Sequence, residues 1–105
     1  MSESLVCNMD VFTPAAREAH ILTTTRLMES IQAVQERENG YELSFSNETE
    51  LIYRIAEFIA KERLCCPFLK FTLKVSSEDE PITLALAGPI GTQEFLRVEF
   101  SGAIS

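Results

Sequence analysis

Apolar and polar positions alternate in three short stretches of residues 41–88, and each stretch predicts a β-strand. The first is YELSFS, residues 41–46, in which one tyrosine, one leucine and one phenylalanine share a face. The second is FLKFTLKV, residues 68–75, and the third is ITLALAG, residues 82–88. The acidic turn SSEDEP joins the last two strands, so we expect them to form a hairpin.

Helical spacing replaces this alternation between the first two strands. Asn47 together with Glu50 resembles a capping box and predicts the start of a strongly amphipathic helix. Pro67 is expected to end that helix, because proline disfavours helical geometry in the residue before it. The apolar stripe of this helix consists of Leu51, Ile52, Ile55, Phe58 and Ile59.

An earlier helix is predicted to begin at Thr13 and Pro14. Threonine is a favoured N-cap, and proline suits the first helical position because its missing N–H is not needed there. We expect this helix to continue to about Glu38, with Gly40 as the left-handed residue that ends it.

The two ends of the chain give weaker patterns. Residues 1–12 leave two alternatives open, a short strand around Leu5 to Met9 or an irregular lead-in. After a Gly-Pro turn, a short last helix is predicted from Thr92 to Phe100. The expected fold is therefore a single α+β domain, residues 1–105. It would be a two-layer sandwich with a three-stranded, mostly antiparallel sheet, two main helices on one face and a short C-terminal helix.

The charge of the chain excludes some classes of partner. The net charge is −7, and the nine basic residues are dispersed, so neither nucleic acid nor an anionic membrane surface is an expected partner. No apolar run approaches the length of about 20 residues that spans a bilayer, and the N-terminal residues do not resemble a secretory signal. A cytoplasmic location is the default expectation. The three cysteines, an odd number, do not predict a disulfide framework there.

Two polar residues fall in the middle of apolar helical stripes. Glu62 lies near the centre of the stripe of the second helix, and Cys65 and Cys66 follow it by three and four residues on the same side. His20, the one histidine, lies in the stripe of the first helix. If both helices cover the same sheet face, His20 and Glu62 can pair, which would offset the cost of burying a carboxylate.

The vicinal cysteine pair predicts an affinity for soft metal ions or metalloids, since polarisable sulfur suits mercury, cadmium, copper(I) and arsenic(III). In this interpretation Cys65 and Cys66 are the main ligands. Glu62, His20 and Cys7 would complete or tune the site. The spacing lacks the paired C-x-x-C pattern of closed structural zinc sites.

Two other classes of function stay open. Ile21, Leu22 and Met28 lie off the main stripe of the first helix and could form the face of a homodimer, as in an interaction module without chemistry. A thiol-dependent redox enzyme is the other alternative. The C-terminal end of a helix disfavours a thiolate, however, which counts against a strongly activated cysteine.

The stretch ERLCCPFLKF, residues 62–71, together with NGYELSF and LALAGPIGTQEFL, resembles a family of small bacterial proteins of uncharacterised function. It is also similar to segments appended to regulators of the mercury-resistance type, which carry a comparable E-x-x-C-C-x-F-x-x-F pattern. The resemblance covers most of residues 40–98 and implies metal or thiol sensing. The chain has no basic helix-turn-helix segment, so it is not expected to act as a regulator alone. The matching positions are Glu62, Cys65, Cys66, Pro67, Phe68 and Phe71.

Overall fold

The computed structural model describes residues 5–104, and over that range the chain forms three α-helices and four β-strands. A single 3-10 turn, Met9–Val11, precedes them. In chain order the elements are α1 Pro14–Glu29, β1 Ala33–Arg37, β2 Gly40–Phe45, α2 Thr49–Cys65, β3 Lys70–Lys74, β4 Ile82–Ala87 and α3 Thr92–Glu99.

The four strands form one antiparallel sheet with the order β1-β2-β4-β3. The prediction of an α+β fold is confirmed, but the prediction of three strands was wrong because it omitted β1. The first helix, predicted to reach about Glu38, ends at Glu29, and residues 33–37 form β1 instead. β1 pairs with β2 from Ala33 opposite Ser44 to Arg37 opposite Gly40. It is an edge strand with mostly exposed residues, so it lacks the alternating apolar pattern that reveals a strand.

The Asn39-Gly40 pair turns a hairpin and does not cap a helix. The β1–β2 connection has two residues, and Asn39 takes the left-handed conformation at φ 56°. Gly40 is needed for a different reason than the one predicted. A Cβ at this position would overlap the backbone carbonyl of Leu86 on the neighbouring strand β4. The glycine therefore allows β2 and β4 to pair closely at the end of the sheet.

The predicted N-cap is correct for α1 and wrong for α2. Thr13 caps α1 as predicted, with its Oγ1 accepting a hydrogen bond from the Ala16 N–H at 3.2 Å. The predicted capping box at Asn47 was wrong, since the N-cap of α2 is Glu48 and has no side-chain cap. The Asn47 amide instead donates to the carbonyls of Ser77 and Glu80, both at 2.8 Å, and so fastens the β3–β4 connection.

The buried core joins alternate sheet residues to the apolar faces of the helices. Leu43, Phe45 and Leu84 of the central strands belong to the same buried cluster as Phe58 of α2 and Leu96 of α3. Arrangement of the helices and sheet as two layers stays a prediction. None of the helices within residues 5–104 is both long and apolar enough to cross a membrane.

Candidate metal and thiol site

His20 and Glu62 meet in the interior, where α1 packs against α2. The imidazole Nε2 lies 2.8 Å from the Glu62 Oε1, and the two side chains are only 3% and 6% exposed. The rings of Phe12 and Phe58 flank the imidazole at centroid distances of 5.4 and 6.0 Å. Burial between aromatic rings fixes the histidine in place, and the histidine in turn fixes the orientation of the Glu62 carboxyl group.

The last turn of α2 brings two sulfur atoms to the same carboxyl group. Cys65 ends the helix three residues after Glu62, and Cys66 is the C-cap, whose N–H donates to the Glu62 carbonyl at 2.8 Å. The Cys65 Sγ lies 3.6 Å from the Glu62 Oε1, and the Cys66 Sγ lies 3.5 Å from its Oε2. The two sulfur atoms are 3.6 Å apart, and both cysteines are almost completely buried.

Cys66 forms a disulfide with Cys7, which corrects the expectation that the chain has no disulfide. The two residues are 59 apart in sequence, and their Cα atoms are 4.4 Å apart. The Asn8 N–H also donates to the Cys65 carbonyl at 2.7 Å. The N-terminal segment is therefore fastened to the end of α2 twice, which a pattern of apolar residues does not indicate. Cys65 is the free thiol.

Four side chains offer ligand atoms that all lie within 4.8 Å of one another: Cys7, Glu62, Cys65 and Cys66. We call these four residues the sulfur–carboxylate cluster. His20 is not a member, because its nearest nitrogen contacts the cluster only through the Glu62 carboxyl group. The structure thus unites four of the five predicted site residues directly and places the fifth one hydrogen bond behind them.

A pocket of about 450 Å³ opens beside the cluster. Its lining surface is mostly apolar and comes from α1, the end of α2, the N-terminal segment and the chain around the end of α3. Ile21 and Met28, two of the three residues suggested for a dimer face, line this pocket, and dimerisation itself stays a prediction. The contributions of Met9 and Phe100 were missed, since nothing in the sequence indicates that both ends of the chain meet at α1.

The surroundings of the free thiol keep it protonated. Burial, and then the Glu62 carboxylate, raise the pKa of Cys65 from an ordinary 9.0 to about 12. Burial and the same carboxylate also raise the pKa of Glu99, which lines the pocket. A thiol with so high a pKa is a weak nucleophile at neutral pH, since the thiolate is the reactive form.

We expect the Cys65 thiol of the folded, oxidised protein to react with iodoacetamide at pH 8.5 at least about a hundredfold more slowly than in urea. The folded protein reacts more slowly because its raised pKa keeps the proton on Cys65, whereas the unfolded chain begins to lose that proton near pH 9. The stability contributed by the neutral thiol should accordingly be lost as the pH rises from about 9 towards 12. Rates from intact-mass spectrometry check this, and equal rates in the two states would show an accessible, ordinary thiol.

No protein-family model matches the chain, and neither a curated protein nor a solved structure matches it. The family resemblance carried by residues 62–71 accordingly stays a prediction. The candidate site is therefore defined by its geometry alone. A small α+β fold brings a disulfide, a free thiol and a buried carboxyl group within 4.8 Å of one another.

Proposed function

We propose that the reduced protein binds one soft metal ion or metalloid through Cys7, Cys65 and Cys66, with Glu62 as a fourth, oxygen ligand. The observation that supports this proposal most directly is that the ligand atoms of these four side chains lie within 4.8 Å of one another. His20 acts on the ion indirectly, because its hydrogen bond holds the Glu62 carboxyl group in place. The ion is a cargo or a signal, and no catalytic step is included.

The spacing of the two vicinal sulfurs supports a particular coordination. If the Zn–S bond length of about 2.3 Å is taken as a guide, two sulfurs of a tetrahedral ion lie about 3.8 Å apart, and two sulfurs of a linear ion lie about 4.6 Å apart. The observed 3.6 Å between the Cys65 and Cys66 sulfurs is close to the first value. A three- or four-coordinate ion such as Cd(II) or As(III) therefore suits the cluster better than a linear one.

The Cys7–Cys66 disulfide supports control of this site by oxidation. A disulfide sulfur is not a thiolate, so in the oxidised protein only Cys65 offers a thiol to an ion. Disulfides that form in a reducing compartment are commonly transient or redox-sensing, and a cytoplasmic location is the one we expect for this chain. Reduction would supply all three sulfurs together.

Cadmium binding tests the proposal. We expect the reduced protein to bind one Cd(II), with sulfur-to-cadmium charge-transfer absorption, and the oxidised protein to bind it at least about a hundredfold more weakly. A Cys65→Ser/Cys66→Ser variant, which also lacks the disulfide, is the matched control for the reduced protein. Equal Cd(II) affinities of that variant and the reduced protein in calorimetry would overturn the proposal.

A homodimeric interaction module, the absence of a nucleic-acid partner and a cytoplasmic location stay predictions. The raised pKa of Cys65 argues against a thiol-dependent redox enzyme, because it favours the neutral thiol over the nucleophilic thiolate.

A further inference from the structure

The pocket beside the cluster is larger than a metal ion needs. An ion bonded to its ligands at about 2.3 Å sits among those ligand atoms and occupies almost none of the space beyond them. The pocket nevertheless holds about 450 Å³, which lies within the range of roughly 300–1,000 Å³ typical of sites for small organic molecules. Its apolar walls include Met9, Ile21, Met28 and Phe100, so the space suits an organic group.

The charge around the pocket narrows the class of ligand further. Glu29 and Glu99 line it together with Glu62, and no lysine or arginine is among its lining residues in the described part of the chain. The whole chain has a net charge of −7. An anionic ligand is therefore disfavoured, whereas a neutral or cationic one is not.

We propose that the natural ligand is an organic compound of a soft element, such as an aryl or alkyl arsenic(III) species, and not the bare ion. This inference rests on the proposed function, because the soft atom is held by the same cluster. The Cys65 and Cys66 sulfurs, already 3.6 Å apart, bind the soft atom, and the carbon substituent fills the apolar part of the pocket.

Binding of the arsenic compound to the cysteines leaves the oxidation state of arsenic unchanged. A thiol reductant first reduces the disulfide: two reductant thiols supply two electrons and two protons, giving the Cys7 and Cys66 thiols and one disulfide of the reductant. A hydrated arylarsenic(III) compound, with two hydroxyl groups on arsenic, then reacts with two cysteine thiols. Two As–S bonds form, two As–O bonds break, and the thiol protons leave in two molecules of water.

This stoichiometry distinguishes Cys7 from the vicinal pair. An arylarsenic(III) centre has two replaceable oxygens and needs only two thiols, whereas inorganic arsenite has three and takes a third. The Cys7→Ser variant has no disulfide, so its Cys66 is free without any reductant. We therefore expect this variant to bind phenylarsine oxide without reductant, whereas the oxidised wild type does not. Failure of the variant to bind would contradict the assignment of Cys65 and Cys66.

A pocket-filling substitution tests the organic group. Thr24 lies on α1 and lines the pocket, and Thr23 beside it is also half-buried but does not belong to the lining. We expect Thr24→Phe to weaken phenylarsine oxide binding by about tenfold or more, since burial of the phenyl ring is lost. Thr24→Phe should leave the affinities for arsenite and Cd(II) within about threefold, and Thr23→Phe should change none of the three.

Calorimetry on the reduced full chain, with adduct masses from mass spectrometry, separates the outcomes. If the reduced wild type binds neither Cd(II), arsenite nor phenylarsine oxide, the proposed function itself fails. If it binds Cd(II) and arsenite, but Thr24→Phe binds phenylarsine oxide as tightly as the wild type, the ion site stands and the organic ligand is rejected. Retained Cd(II) binding by Thr24→Phe shows that this variant is folded.

Discussion

Reduction of the Cys7–Cys66 disulfide should lower the free energy of unfolding by about 4 kcal/mol, because the cross-link closes a loop between residues 59 apart. The unfolded chain with this cross-link has fewer conformations, and reduction returns that entropy to it. A domain of this size has a total stability of only about 5–15 kcal/mol. The melting temperature should therefore fall by roughly 15 to 30 °C.

Urea unfolding with and without a phosphine reductant measures this effect. Cys7→Ser should resemble the reduced wild type and should not respond to the reductant, since it has no disulfide to lose. Cys65→Ala is the matched control, because it removes a neighbouring buried sulfur and keeps the cross-link. A wild-type midpoint that does not move, once three free thiols have been counted, would show that the disulfide contributes no stability.

This loss of stability bears on the proposed site. Reduction removes the covalent link between the N-terminal segment and α2 and leaves the hydrogen bond from the Asn8 N–H to the Cys65 carbonyl. An ion bound to the three sulfurs would restore a link between Cys7 and α2 and would stabilise the folded state in proportion to its affinity. The same three sulfurs can thus fasten the segment in two ways, by oxidation or by a ligand.

The elements that carry strong periodicity could be predicted from the sequence. The helix across residues 49–65 and the strands across residues 70–74 and 82–87 have a regular apolar face, and the buried position of Glu62 follows from the same helical geometry. The pairing of Glu62 with His20 could also be expected, because two buried polar groups on neighbouring helices satisfy each other.

What the sequence pattern did not reveal depends on contacts with other segments of the chain. β1 is mostly exposed and gains its order from hydrogen bonds with β2, so its own residues carry no strand pattern. The disulfide joins Cys7 to Cys66, and a proximity of that kind depends on how the first segment folds back across α2. The apolar pocket likewise needs residues from both ends of the chain, which no local pattern brings together.

The second large effect concerns the buried His20–Glu62 pair. We expect His20→Leu to lower the free energy of unfolding by about 3–5 kcal/mol, because it leaves a buried carboxyl group without its partner. Glu62→Gln should cost less, since a neutral amide is cheaper to bury and can still hydrogen-bond to the imidazole. Urea unfolding of the oxidised proteins gives both values with the disulfide unchanged.

A double replacement separates loss of pairing from loss of packing. If the cost of His20→Leu comes from the stranded carboxyl group, then His20→Leu/Glu62→Leu should recover much of it, because apolar side chains of similar volume often substitute well for a buried pair. The exposed Arg54–Glu50 pair on α2, 3.5 Å apart, is the control, and Arg54→Ala should cost less than about 1 kcal/mol.

Comparing the stability lost in His20→Leu with that lost in Arg54→Ala shows whether the buried imidazole holds the Glu62 carboxyl group in place. A cost for His20→Leu no larger than that for Arg54→Ala would mean that water reaches Glu62 and replaces the imidazole. A large cost that the double replacement recovers would instead locate the free energy in the pair itself. The pair would then be kept for the fixed orientation of Glu62 towards the three sulfurs, since apolar residues would serve stability at least as well.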